Sequence, residues 1–545
     1  LHYPLRRQRQ MCIRDRSIAV LPFKSFSDDI EKQYLADGMM DAILLNLSKI
    51  EDIRVMSRTS VEIYRNPLKS VSEIAEELGV EYILEGSFQK YGNSVRLIVQ
   101  LIRAREDYHV WSNEYDRDWN DIFSVQSEVA KAIAGELHVV ITPEESMLVD
   151  KIPTLNLTAY DFYQKGTEQL AMIKKNNPDN KTLLDRAEGY FKEAIRHDSS
   201  FARAYTGLAE VWYRKHYWAT YLSSGFLDTV IVLCNKALSF DNNLSEAYRG
   251  KGICYYNRGS TEEAILELKN ALKYNPNDYL SYSFLANIYT DLDNDFAEGI
   301  MNMHKAIIRY RGTELSDYLE RLAGLYRGAG FPEKAEEYFK EAFSLHRDSA
   351  RYYEYVAPLE PDPEDALRVA KRAEKLDPKR VVNFDLYSFL PSSYCNEAYE
   401  CAQKAIEQAK SQGILSLWFY HRFGLAYWRV GRKKEAMEFF RMQIRYDEES
   451  IRLNRYKAEW GGSYYDLAAT YAFLGENEKA YQYLEEFNRR KEKIGYFWID
   501  LITKDPLFDP IRDVARFQTM ENEIIYRARA EHERVRKILQ EQGML

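Results

Sequence analysis

The stretch "YRGKGICYYNRGSTEEAILELKNALKYNPND", residues 248 to 278, decides how the chain folds. Its cysteine, adjacent tyrosines and carboxylates could be chemistry or could be spacing. Tyr248, Gly252, Tyr255, Gly259, Ala264, Leu268, Ala271 and Pro276 follow at offsets of 4, 3, 4, 5, 4, 3 and 5. Steps of three and four place these residues on one helical face. The pattern predicts two helices, from about Glu246 to Arg258 and from about Thr261 to Tyr274. Small Gly252 and Ala264 allow the two helices close approach, and Tyr255 and Leu268 fill the space between them. Pro276 starts the next connection.

The pattern recurs, in the manner of a tetratricopeptide repeat of roughly 34 residues. Copies follow at Tyr282/Leu285/Ala286/Tyr289, at Leu319/Leu322/Ala323/Tyr326 with Ala335/Phe339/Ala342, at Tyr420/Phe423/Gly424/Tyr427 and at Tyr464/Leu467/Ala468/Tyr471. Weaker copies lie at Ala187/Phe191/Ala194, Tyr205/Leu208/Trp212, Ala366/Ala370/Ala373 and Ala398/Ala402/Ala405. Together they predict about nine repeats over residues 155–495. "RKHYWATYLSSGF" (214–226) enlarges one turn, and "KAEWGG" (457–462) lengthens the link before the last repeat. Pro358, Pro361 and Pro363 end one helix early, so the superhelix is expected to kink or divide near residue 360.

Most of the conspicuous side chains are therefore spacing. Tyr255 falls on the buried position of the helix pair, and Cys234 and Cys254 read as fillers between repeats. By resemblance to tetratricopeptide proteins, Tyr256 and Asn257 face a concave groove, with Tyr213, Arg249, Arg327, His421 and Trp428 at equivalent positions. The resemblance implies that the groove holds a protein or peptide partner. A packing or solvated role stays open for each residue.

Upstream, "SIAVLPF" and "IRVMSRTS" have strand character, and "YLADGMMDAILLNLSKI" has helical spacing. "SVSEIAEELGV" is a capped helix, with Ser70 three residues before Glu73 and Gly79 at its stop. Gly92-Asn93 turns a hairpin, "DYHVWSNEYDR" adds a strand, and "DIFSVQSEVAKAIAGELH" closes with an amphipathic helix. This order predicts a small α/β domain with a mixed sheet. The blocks from "SIAVLPF" to "SVQSEVAKAIA" resemble the TolB N-terminal-like domain, which precedes helical repeats in bacterial regulators. The expected class is thus α+β multidomain: an α/β domain over residues 17–142, then an all-α tetratricopeptide superhelix. Asp28, Asp29 and Asp37 could suggest a metal, but acidic residues before a helix usually complement its positive end. Arg58 and Trp111 read as capping or packing residues.

The chain has 545 residues and a net charge of −9, too long for one core and without the basic stripe that phosphate backbones require. Direct nucleic-acid binding by this region is therefore not expected. Cys12, Cys234, Cys254, Cys395 and Cys401 contain no CxxC, so neither a disulfide framework nor structural zinc is expected. No HExxH, Walker loop, GxSxG or kinase motif occurs, and no catalytic residue, cofactor or metal is expected. No run approaches the roughly 18 to 20 apolar residues of a membrane span. Residues 1–16, "LHYPLRRQRQMCIRDR", lack an apolar core and read as a foreign leader.

Residues 496–545 carry Phe497, Trp498, Phe508 and Phe517, a capping segment for the last repeat, and a final helix suited to docking or homodimerisation. The expected function is a non-catalytic regulatory scaffold of bacterial signalling in the cytoplasm. Two other readings stay open from the resemblance. One is the periplasmic sensor region of a membrane-tethered DNA-binding regulator. The other is the regulatory half of a class III adenylate cyclase or kinase.

Overall fold

The structure, a computed structural model, describes residues 16–25, 33–66, 68–173, 179–216, 225–360, 362–377, 390, 392–411, 419–490 and 493–545. They form two compact units. The first holds the described residues up to Cys254 together with Glu263–Phe284 and Lys305–Glu314; the second holds Tyr255–Glu262, Leu285–His304 and Leu315–Leu545. Residues 1–15 of the leader, with Cys12, lie outside the described residues, as do Asp28, Asp29, Pro361, Pro378 and most of the 214–226 insertion.

In the first unit, β1 (Ser17–Val20), β2 (Lys24–Ser25), α1 (Gln33–Ser48), β3 (Arg54–Val55), α2 (Arg58–Val61), α3 (Val71–Leu78), β4 (Tyr82–Tyr91), β5 (Ser94–Arg103), β6 (Tyr108–Asp118), α4 (Ile122–Glu136) and α5 (Pro143–Val149) make the α/β domain. The sheet order is β3-β1-β4-β5-β6, with β2 beside β4. β1 runs parallel to β3 and β4, whereas β4, β5 and β6 are antiparallel. Every residue of β1 is buried, which is why that strand is a continuous apolar run. Gly92 turns the hairpin at φ +58°, with Tyr91 opposite Ser94. Ser70 and Glu73 form a complete capping box on α3, and Gly79 ends it at φ +67°.

Helices follow: α6 (Leu157–Ala171), α7 (Asn180–His197), α8 (Ala202–His216), α9 (Gly225–Phe240), α10 (Ser245–Arg258), α11 (Thr261–Tyr274), α12 (Tyr279–Asn287), α13 (Phe296–Ile307), α14 (Leu315–Gly328), α15 (Pro332–His346), α16 (Ser349–Val356), α17 (Pro363–Leu376), α18 (Cys395–Ser411), α19 (Tyr420–Arg429), α20 (Lys433–Arg452), α21 (Tyr456–Trp460), α22 (Gly462–Phe473) and α23 (Asn477–Arg490), then α24 (Phe497–Lys504) and α25 (Ala515–Glu541) in the tail. Close approach is obligatory at the small residues. A Cβ on Gly207 would fall 2.5 Å from the Phe191 ring, and one on Gly252 2.7 Å from Leu268. Ala264, Leu268, Ala335 and Phe339 are buried, as are Cys234 and Cys254. Tyr255 is half-buried. α16 ends after eight residues, ahead of Pro358.

The α/β domain and the first repeats of this unit share one core, which runs from Ile18, Ile43, Leu84 and Ile133 to Tyr160, Ala194, Phe201 and Ala204. A second seam joins the sheet's edge to the array. Asn277, in the "NPND" link of the opening stretch, accepts from Val55 N at 3.0 Å and donates to Ile53 O at 2.8 Å and Ser48 O at 3.3 Å. Arg54 donates to Ile308 O at 2.9 Å, Ser57 N to Arg309 O at 3.0 Å, and Arg311 N to Ser60 Oγ at 2.8 Å. These bonds also explain a departure from sequence. The strand expected through "IRVMSRTS" stops at Val55, because the backbone leaves the sheet at Ser57 to bond the array.

In the second unit, α25 lays Phe517, Ile524, Val535 and Leu539 into buried positions. These residues dock the helix within the chain. No helix among the described residues is long and apolar enough to cross a membrane.

Two outcomes follow from this packing. Ala264→Asp or Ala335→Asp places a carboxylate at a fully buried site and should cost several kcal/mol, read as a lowered denaturation midpoint by circular dichroism. Asn277→Ala strands a backbone N–H and two carbonyls and should cost about 2–3 kcal/mol. Its signature is faster amide exchange at Val55 with the helical content unchanged.

Candidate partner-binding surfaces

The seven groove positions fall in both units. In the first, Tyr213 on α8 lies with its ring 6.3 Å from Phe226. Arg249 on α10 is half-buried and pairs with Asp278 at 2.9 Å, and Ser281 Oγ donates to the same carboxylate at 2.6 Å. Burial opposes the charge on Arg249, but Asp278 and Glu210 outweigh it and hold the guanidinium above its ordinary range.

In the second unit, Tyr256 is engaged by the chain itself. Its hydroxyl donates to Asp291 Oδ2 at 3.2 Å, Tyr456 donates to the same oxygen at 3.1 Å, and Arg321 to Oδ1 at 2.7 Å. Arg321 also donates to Asn287 Oδ1 at 2.8 Å, and the two tyrosine rings meet edge-on at 5.2 Å. Asp291 lies in a single wide π turn, Ile288–Leu292, that continues α12. Burial, chiefly, pushes both phenols well above their ordinary range, so they stay donors. Beside them Gly259 sits at φ +75°, and a Cβ there would meet Glu459 Cβ at 2.8 Å and Asn454 O at 3.0 Å. Asn257 is buried at 3% exposure.

His421 is also buried, at 2% exposure. Its Nε2 lies 3.6 Å from Asp466, and Lys457 bridges Asp466 at 2.6 Å and Asp447 at 2.9 Å. Gln443 accepts from His421 N at 3.1 Å. The neighbouring Arg422 makes a two-pronged pair with Asp505 at 2.8 and 2.7 Å, and Tyr465 donates to Asp505 at 2.9 Å. This network ties α19, α20 and α22 to the tail.

Trp428 and Arg327 are half-buried. Trp428 meets Phe473 edge-on at 5.5 Å, with Lys433 Nζ 5.0 Å above its ring. Among the described residues the Arg327 side chain makes no hydrogen bond or ion pair. Spacing locates both side chains without telling which neighbours cover them. It gives no signal for Asp291, Arg321 or Tyr456, because Tyr456 stands 165 residues from Asp291.

No cluster of three metal-ligating side chains occurs among the described residues. Asp37 is paired: Arg65 donates to both its oxygens at 2.8 and 2.9 Å. Arg58 pairs with Asp41, and Trp111 packs against the sheet core. These are structural roles.

Burial lowers the His421 imidazole to about 4. A histidine held neutral in the fold stabilises above its unfolded value of about 6.5, and that contribution is lost as pH falls from there towards 4. Asp447, pushed up to about 7 mainly by burial, contributes with the opposite sign. The difference between wild type and His421→Gln isolates the histidine. Chemical denaturation at pH 7.5 and 4.5 should show the wild type losing roughly 2–3 kcal/mol more than the variant.

Residues 14–132 match the family model of the second domain of HilA/YgeH-like transcriptional regulators. Residues 419–450 and 461–493 match a tetratricopeptide repeat model. A protein of Rhizobium meliloti (strain 1021) bearing the name "Putative adenylate cyclase 3" is 36% identical over 154 residues, 28% of this chain and 26% of that protein. The chain thus spans about a quarter of that relative's length. Among solved structures, MamA is similar at 19% identity over 36% of this chain and 95% of its own, with a TM-score of 0.26. The Pseudomonas aeruginosa pilF structure is similar at 18% identity over 45% and 97%, with a TM-score of 0.31. YrrB, titled a TPR protein with an unusual peptide-binding site, is similar at 17% identity over 39% and 92%, with a TM-score of 0.25.

Proposed function

We propose that this chain is a non-catalytic regulatory module of bacterial signal transduction, whose repeats bind a protein or peptide partner. The α/β domain is of the regulator kind, and we assign it the TolB N-terminal-like character that its sequence blocks resemble. The observation that carries the reading is the uncommitted Arg327, half-buried on a first helix of a repeat with no partner in the described residues. A guanidinium in that state suits a carboxylate on a partner chain. Trp428 offers a second anchor of the kind that dominates interfaces. By contrast, Tyr256, Asn257 and His421 are already used within the chain, so they contribute to the shape of the groove and not to contact. Buried cysteines at 234, 254 and 401, none of them in a disulfide, support a reducing, cytoplasmic setting.

A second reading is favoured by one observation, the 36% identity to a protein named as an adenylate cyclase. In that reading the chain is the regulatory part of a class III cyclase, and the bound partner governs a catalytic domain. The HilA-like match supports instead a region of a transcriptional regulator.

Cross-linking capture from a bacterial lysate separates the contact surface from the scaffold. Arg327→Ala and Trp428→Ala should each lower recovery of the captured partner at least about fivefold with the circular dichroism melt unchanged. Unchanged recovery with both variants folded would remove the groove reading.

A further inference from the structure

In the first unit a cleft of about 90 Å³ opens where the end of α1 and the segment after α5 meet the links between repeats. That is several times the space one water needs. Its walls include Lys49, Lys151, Arg203, Asp241, Ser245 and Glu246. Lys151 and Asp241 neutralise each other at 2.5 Å. Lys49 Nζ donates to Leu148 O at 2.7 Å and to Asn46 Oδ1 at 2.9 Å, which uses two of its three N–H groups and meets no carboxylate. The Arg203 guanidinium makes no hydrogen bond or ion pair among the described residues. Glu246 attracts both cations without pairing with either. Two cations therefore stand against one carboxylate.

A second, independent feature points the same way. Ser245 is 5% exposed, yet its Oγ has no hydrogen-bond partner. It is the first residue of the 14-residue helix α10, whose opening N–H groups and positive dipole end favour negative charge. A buried hydroxyl without a partner is costly, and here it lines the cleft beside the unpaired cations.

We propose that this cleft is an anion site that takes a phosphate group, gripped by Lys49 and Arg203 and by Ser245 at the first turn of α10. The group belongs to free phosphate or to a phosphorylated small molecule; exposed Ile152 and Phe240 at the rim would meet the body of the latter. Burial and the nearby Arg203 and Lys151 lower the Lys49 ammonium to about 7, against the pull of Glu246 and Asp241. A bound dianion supplies the missing counter-charge and keeps that lysine protonated.

Titration calorimetry on the full chain, with inorganic phosphate and with phenyl phosphate at ionic strength fixed by chloride, tests this. Saturable binding at one site is expected. Arg203→Gln and Ser245→Ala should each weaken it about tenfold while the thermal midpoint stays within a few degrees. Tighter binding of phenyl phosphate assigns a phosphorylated small molecule, and equal affinities assign the free ion. Absence of saturable binding by either probe, or affinity unchanged in both folded variants, would overturn the proposal.

Discussion

A sheet edge has backbone donors and acceptors that must go somewhere, and in this protein their destination organises the first unit. β3 is two residues long and, among the described residues, pairs with β1 alone. Its outer N–H and the adjacent carbonyls are taken up by the single side chain of Asn277, with further bonds from Arg54, Ser57 and Ser60 to residues 308–311. An asparagine amide carries a donor and an acceptor side by side, so it can stand in for the missing strand. Together with the continuous apolar core through Tyr160 and Phe201, this seam makes the regulator-like domain and its first repeats one cooperative body. A displacement at either part of that body has a packed route to the other.

The second unit is organised by buried charge. Asp291 gathers three donors from distant parts of the chain, and Asp505 and Asp447 anchor further networks under the last repeats. Such networks add little net stability compared with apolar packing, but each is expensive to half-break. They therefore fix which segments lie together more strongly than they stabilise the whole.

The repeats were legible because close helix packing demands small residues at fixed intervals, as Gly207 against Phe191 and Gly252 against Leu268 show. The hairpin at Gly92 and the box of Ser70 and Glu73 were legible because their chemistry is local. What could not be read was anything set by distant covering. His421 has the spacing of a groove residue but lies under Gln443, Lys457 and Asp466. Asn277 reads as a turn residue, and only the sheet edge more than two hundred positions away gives it its role. Ser245 and Arg203 carry no motif at all; the cleft they line exists only once α1 and the repeat links have met.

The buried thiols have a consequence for how this molecule ages. Desolvation pushes Cys234 up to about 12 and Cys401 up to about 12, so at neutral pH almost none of either is thiolate. Peroxide and alkylating reagents act on thiolate, and they find these sulfurs only when a repeat transiently breathes open. Each thiol is thus a built-in clock for the opening of its own repeat, silent to cellular oxidants for as long as the helices stay shut.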